Sequence, residues 1–113
     1  MGNNSDRPDV PALAKRVILE EFKKAGVDVA RILLFGSRAR GDAAPDSDWD
    51  FLVVSREPVP REVKTEAVLA VRRFFGKMLI PVDVMVKSLD RIEAEKNDSG
   101  FMTRAVLAEG VPV

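Results

Sequence analysis

From Ala12 to Ala25 the apolar residues Leu13, Val17, Ile18, Phe22 and Ala25 recur at helical spacing, with Lys15, Glu20, Glu21 and Lys24 between them. This period predicts an amphipathic helix closed by Gly26. The run Val29 to Phe35 is short, apolar and bounded by Gly36, which fits a largely buried strand. Gly36 to Ser47, rich in Gly, Asp, Ala and Pro, reads as a loop. Trp49 to Val54 alternates aromatic and branched residues with Asp50 and predicts a second strand. After the Pro58 and Pro60 interruption, Val63, Ala67, Ala70, Val71, Phe74 and Met78 keep helical spacing and predict a central helix.

Ile80 to Lys87 predicts a third strand, with Asp83 and Met85 on one face and Val82, Val84 and Val86 on the other. Ser88 is placed to cap a weaker helix. Asn97 to Gly100 breaks the pattern, and Phe101 to Glu109 predicts a final helix ending at Gly110. The order helix, strand, loop, strand, helix, strand, helix, helix is an α/β plan, a small sheet of three core strands flanked by helices. With 113 residues, 46% of them hydrophobic, the expectation is one domain over residues 1–113. Polar residues 1–10 form a flexible N-terminus in this reading.

Composition narrows the chemistry. Without cysteine there is no disulfide framework or thiolate nucleophile, and without histidine there is no imidazole ligand or base, so carboxylates are the main candidates for both tasks. Eighteen basic residues balance eighteen acidic ones, giving no global field toward nucleic acid or an anionic membrane. The N-terminus carries no apolar run, and no stretch approaches the roughly 18 apolar residues of a membrane span. A cytoplasmic location is the default expectation.

The distinctive segment is a strand followed by Gly36-Ser37-Arg38-Ala39-Arg40-Gly41 and then Asp48-Trp49-Asp50-Phe51. Two aspartates at i and i+2 near a strand start project from one face. Such like charges raise each other's proton affinity until a cation neutralises them, and hard oxygen donors suit magnesium. Asp83, inside an otherwise apolar strand, is expected to be a buried charge in need of compensation. If its strand neighbours the second one, Asp83 completes a three-carboxylate cluster for two metals. Gly36 lets the backbone approach a ligand closely, and the amides there, the Ser37 hydroxyl and Arg38 or Arg40 form a candidate phosphate seat.

Plainer readings stand beside these. An isolated Asp-x-Asp is ordinarily a solvent-facing strand edge. Arg38 and Arg40 are equally readable as solvated loop charges. The two glycines superficially resemble a P-loop, but Asp42-Ala43 stand where that motif needs Lys and Ser or Thr. Trp49 must face away from the aspartates, Arg72-Arg73 reads as a solvated face, and Phe74-Phe75 reads as core, with one of the pair open to serve as a partner surface.

The segment resembles the signature of the DNA polymerase beta nucleotidyltransferase superfamily, and most of all its minimal nucleotidyltransferase (MNT) members. There Gly-Ser is followed after ten residues by Asp-x-Asp, as Gly36-Ser37 is followed by Asp48-Trp49-Asp50. A third aspartate on a later strand matches Asp83. The resemblance implies a mixed sheet with the first two strands antiparallel and the third beside the second. It implies catalytic and metal-binding roles for Asp48, Asp50 and Asp83, a two-metal Mg2+ site, and β- and γ-phosphate binding by Ser37. The activity implied is transfer of a nucleoside monophosphate, AMP, from ATP or another NTP to an acceptor.

Minimal members are often paired with a HEPN-domain protein in toxin-antitoxin modules, so a HEPN-domain partner or self-association is implied. The chain has no tyrosine, so a tyrosine acceptor lies on another protein. Two alternatives stay open: a non-catalytic antitoxin or binding module, and a small-molecule nucleotidyltransferase of the aminoglycoside-modifying kind.

Overall fold

The computed structural model describes residues 8–113. The elements run α1 (Val10–Lys24), β1 (Val29–Phe35), α2 (Ser37–Arg40), β2 (Trp49–Ser55), α3 (Arg61–Gly76), β3 (Val82–Ser88), α4 (Leu89–Glu95), α5 (Met102–Glu109) and β4 (Val111–Pro112). The expected flexible terminus lies, for residues 1–7, outside the described residues. Its last residue is already helical: Asp9 caps α1 by accepting the Ala12 N–H at 3.2 Å, and Val10 is buried.

The four strands stand in the order β3-β2-β1-β4. β1 runs antiparallel to β2 and to β4, whereas β2 and β3 run parallel. The expected arrangement of the first three strands therefore holds, and β4 is an addition. Two residues of strand, one of them proline, carry too little pattern to be read from sequence. The expected loop after Gly36 also begins with the single helical turn of α2, ended by Gly41 in the left-handed region at φ 84°. The third strand starts at Val82 rather than Ile80, since Pro81 has no N–H for the ladder and serves through its carbonyl, which accepts the Trp49 N–H at 2.9 Å.

Alternation assigns the two faces of the sheet. Ile32, Leu34, Phe51, Val53, Val82, Val84 and Val86 pack on the α1 and α3 side, where Phe22 and Phe75 are fully buried. Leu33, Leu52 and Val54 face the other way, against Val106 of α5. Each large side chain buried here contributes roughly 1.5–3 kcal/mol, and Phe51→Ala at the centre would cost about 3–5 kcal/mol. Because Phe51 points to α1 and α3, Asp50 points to the α5 side.

Helices α1 and α3 end in the same way. Val27 N–H bonds to Phe22 O at 2.8 Å and Gly26 N–H to Lys23 O at 3.0 Å; Ile80 N–H bonds to Phe75 O at 3.1 Å and Leu79 N–H to Gly76 O at 3.0 Å. Both are Schellman-type closures needing one left-handed residue. In the first this is Gly26, at φ 82°; in the second it is Leu79, at φ 59° and 90% exposed. Among the described residues no helix is long and apolar enough to cross a membrane.

Candidate active site

Topology brings the candidate residues to one end of the sheet. β2 and β3 are parallel and so begin together, while antiparallel β1 ends where they begin. Phe35 pairs with Asp50, and Asp50 pairs with Asp83. Asp48 lies two residues before Asp50 and shares its face. On the opposite face Trp49 packs with the α1 and α3 core, as expected.

Gly36 fixes the closest approach. Its φ is 78°, and a Cβ there would lie 2.6 Å from Asp50 Oδ2, so no other residue fits without displacing the carboxylate. Its N–H donates to Glu109 Oε2 at 2.8 Å. The β1–β4 pairing accounts for this contact: Leu34 pairs with Val111, and the same register carried two residues further sets Gly36 opposite Glu109. Gly110, between them, is needed for packing, since a Cβ there would meet Val106 O at 2.7 Å.

Three carboxylates thus act on a fourth, Asp50. The Asp50 carboxyl is held above its ordinary range, first by burial and then by the charges of Asp48, Asp83 and Glu109. Asp83 corrects the expectation of a buried charge: it is exposed, because β3 is an edge strand, and its Oδ1 accepts the neighbouring Val84 N–H at 3.0 Å. The desolvated member of the set is Asp50.

As the side chains lie, no three acidic groups among the described residues converge tightly enough to hold a metal ion. The donor set itself fits magnesium. It offers hard oxygens on one face, and its mutual repulsion, seen in the raised proton affinity of Asp50, is what a divalent cation relieves.

The two arginines differ in placement. Arg38 turns toward the following loop, donating to the carbonyls of Pro45 and Ser47, each at 3.0 Å. Its guanidinium lies 4.4 Å from the centre of the Trp49 ring. Arg40 pairs with Asp42 and with Glu109, both at 3.2 Å, and its pKa is raised by the hydrogen bonds to Asp42 and Glu109. Ser37 opens α2 directly beside Gly36. A cleft of about 380 Å³ runs between Asp48, Asp83 and the end of α3, where Arg72 and Gly76 line it.

Residues 15–106 match the nucleotidyltransferase domain family. The chain belongs to this family. A candidate protein adenylyltransferase of Methanocaldococcus jannaschii is 42% identical over 57 residues, 46% of this chain, and the matched stretch spans 39% of that relative's length. A solved structure described as a candidate minimal nucleotidyltransferase is 26% identical, with a TM-score of 0.60, over 95% of this chain and 98% of that one. A toxin-antitoxin crystal structure with AMP-PNP has the same fold, at 17% identity and a TM-score of 0.58, over 87% of this chain and 70% of that one.

In this nucleotidyltransferase domain two residues join the site without having been expected there. Glu109 arrives through β4; in sequence it stood only as the last residue of the final predicted helix, before Gly110. Arg72 is exposed, as its reading as a solvated face expects, and also lines the Asp48–Asp83 cleft, because α3 ends near the start of β3. Of the aromatic pair on α3, Phe75 is buried and Phe74 is 38% exposed.

Proposed function

We propose that this chain transfers AMP from ATP to an acceptor hydroxyl on a partner protein, using Asp48, Asp50, Asp83 and the Gly36-Ser37 turn. The observation that carries this reading is the pairing of Asp50 with Asp83 directly beside the close approach of Gly36. Transfer needs carboxylates and a phosphate seat at one point, and these residues share one sheet end. The M. jannaschii relative supports a protein acceptor, and the AMP-PNP complex of the toxin-antitoxin neighbour supports an adenine nucleotide.

In this proposal Asp48 and Asp50 would hold magnesium together with the triphosphate, and Asp83 would complete the set on the acceptor side. Magnesium, when bound, neutralises the charge gathering on the phosphates and lowers the pKa of the attacking hydroxyl. The Ser37 hydroxyl and the amides of Ser37 and Arg38 orient the β- and γ-phosphates, the Ala39 and Arg40 amides being bonded to the Gly36 carbonyl. Asp83 takes the hydroxyl proton as the acceptor oxygen forms its bond to the α-phosphorus. The bond from the α-phosphorus to the bridging oxygen breaks, and pyrophosphate leaves with the electron pair. Exposed Phe74, Met78 and Leu79, near the same end, suit contact with a protein presenting the acceptor. A HEPN-domain protein is the proposed partner, with self-association the alternative.

The test is incubation with magnesium and α-labelled ATP, with and without the co-expressed partner. Label on the partner that disappears with Asp48→Asn supports transfer; a stable complex and ATP binding without label favours an antitoxin acting by contact alone.

A further inference from the structure

The far ends of β2 and β3 form a second cavity, of about 370 Å³, whose polar lining is Ser55, Lys64, Lys87, Ser88 and Arg91, with no acidic side chain. Ser55 and Ser88 are register partners at the ends of the two parallel strands. Five residues of strand separate Ser55 from Asp50, roughly 17 Å, so this cavity is distinct from the carboxylate cluster.

Its cations are held in place from behind. Glu95, 2% exposed, accepts from Lys87 Nζ at 2.7 Å, from Arg91 Nε at 3.0 Å and from Thr103 Oγ1 at 2.6 Å. One buried carboxylate therefore sets two cations side by side at the cavity wall and neutralises only one of them. Lys64, half-buried on α3, supplies a third and makes no ion pair among the described residues. Three cations against one carboxylate leave an uncompensated positive charge in a concave, partly desolvated place, where an anion's hydrogen bonds are charge-assisted.

We propose that this cavity binds a small phosphate-bearing anion, held by Lys64, Lys87 and Arg91; the Ser55 hydroxyl donates to the Glu57 carbonyl and Ser88 caps α4, so the cations carry the binding. The site is independent of the transfer reaction proposed above.

The experiment is titration of the 15N-labelled protein with inorganic phosphate at low ionic strength, with sodium acetate at equal ionic strength as the comparison anion. Saturable shifts at the amides of Ser55, Lys64, Ser88 and Arg91 are expected with phosphate, and much weaker ones with acetate. Lys64→Met, which keeps the side-chain stem, should weaken binding about tenfold, the scale of one charge-assisted contact, with the rest of the spectrum unchanged. Asp48→Asn should leave phosphate binding intact, so failure of the transfer reading would not disturb this result. Non-saturating shifts, equal binding of acetate, or unaltered affinity in Lys64→Met would each overturn the proposal.

Discussion

The carboxylate of Glu109 accepts the backbone N–H of Gly36 at 2.8 Å, joining residues 73 positions apart in sequence. This bond ties the last helix to the turn before the aspartates. Glu109→Ala would leave that part-buried N–H without a partner and release Arg40, at a cost of about 1–2 kcal/mol. Glu109→Gln keeps an oxygen acceptor at the same reach and should lose less. Urea denaturation of the two variants gives the comparison, and equal losses would show that the bond to Gly36 contributes nothing.

Asp50 titrates abnormally because burial and three neighbouring carboxylates disfavour its ionised form. A carboxyl whose folded pKa is raised binds protons more tightly folded than unfolded. Its unfavourable contribution therefore appears as pH rises from the unfolded value through the folded one, and persists at neutral pH. Asp50→Asn removes that cost. After solvent screening of these half-exposed charges, a modest Tm increase at neutral pH without metal is expected, together with loss of any stabilisation by magnesium and ATP. Thermal melts with and without both ligands read the two effects together; a lowered Tm would contradict the electrostatic account.

Gly36→Ala meets two obstacles, a left-handed backbone and a Cβ 2.6 Å from Asp50 Oδ2. Backbone strain at φ 78° and ψ −162°, a region essentially only glycine adopts, alone amounts to about 1–3 kcal/mol, and displacement of the carboxylate should abolish nucleotide binding even in the folded fraction. Calorimetric titration with ATP and magnesium on the folded variant checks this, and retained affinity would remove Gly36 from the site.

Leu79 occupies the left-handed position that Gly26 fills in the matching turn after α1. With its side chain 90% exposed, Leu79→Gly sacrifices little packing and should raise stability by roughly 1 kcal/mol. Chemical denaturation measures the gain. If the exposed leucine serves a partner contact, the same variant should bind that partner more weakly.

Glu95 has a lowered pKa, chiefly through the hydrogen bond from Lys87 and then that from Thr103. Its contribution to stability is present above the unfolded carboxylate pKa and is lost as pH falls through the folded value. Glu95→Gln should lower stability at neutral pH and flatten the decline on acidification, as followed by circular dichroism. An unchanged acid limb would assign that decline to other carboxylates.

Much of the site was legible in the chain because its signals are local. Asp48 and Asp50 share a face by the two-residue period of a strand, and Gly36-Ser37 follows an apolar run that can hardly be anything but a strand. The same period set Val82, Val84 and Val86 on one side of β3 and left Asp83 on the other. What it could not supply was the environment of Asp83, since a strand's pattern does not reveal whether it lies at a sheet edge. The desolvation assigned to Asp83 accordingly belongs to Asp50, one strand further in.

By itself the sequence determined the four longer helices and the three long strands, the placing of the candidate carboxylates on the second and third strands, and the resemblance that family membership bears out. These rest on periodicity and spacing within about twenty residues. The tertiary structure alone decided the β1–β4 pairing that carries Glu109 to Gly36, the engagement of Arg38 by loop carbonyls, the presence of Arg72 at the cleft and the convergence of Lys64, Lys87 and Arg91. Each depends on which distant elements become neighbours, and that is settled by burying both faces of one sheet rather than by any local pattern.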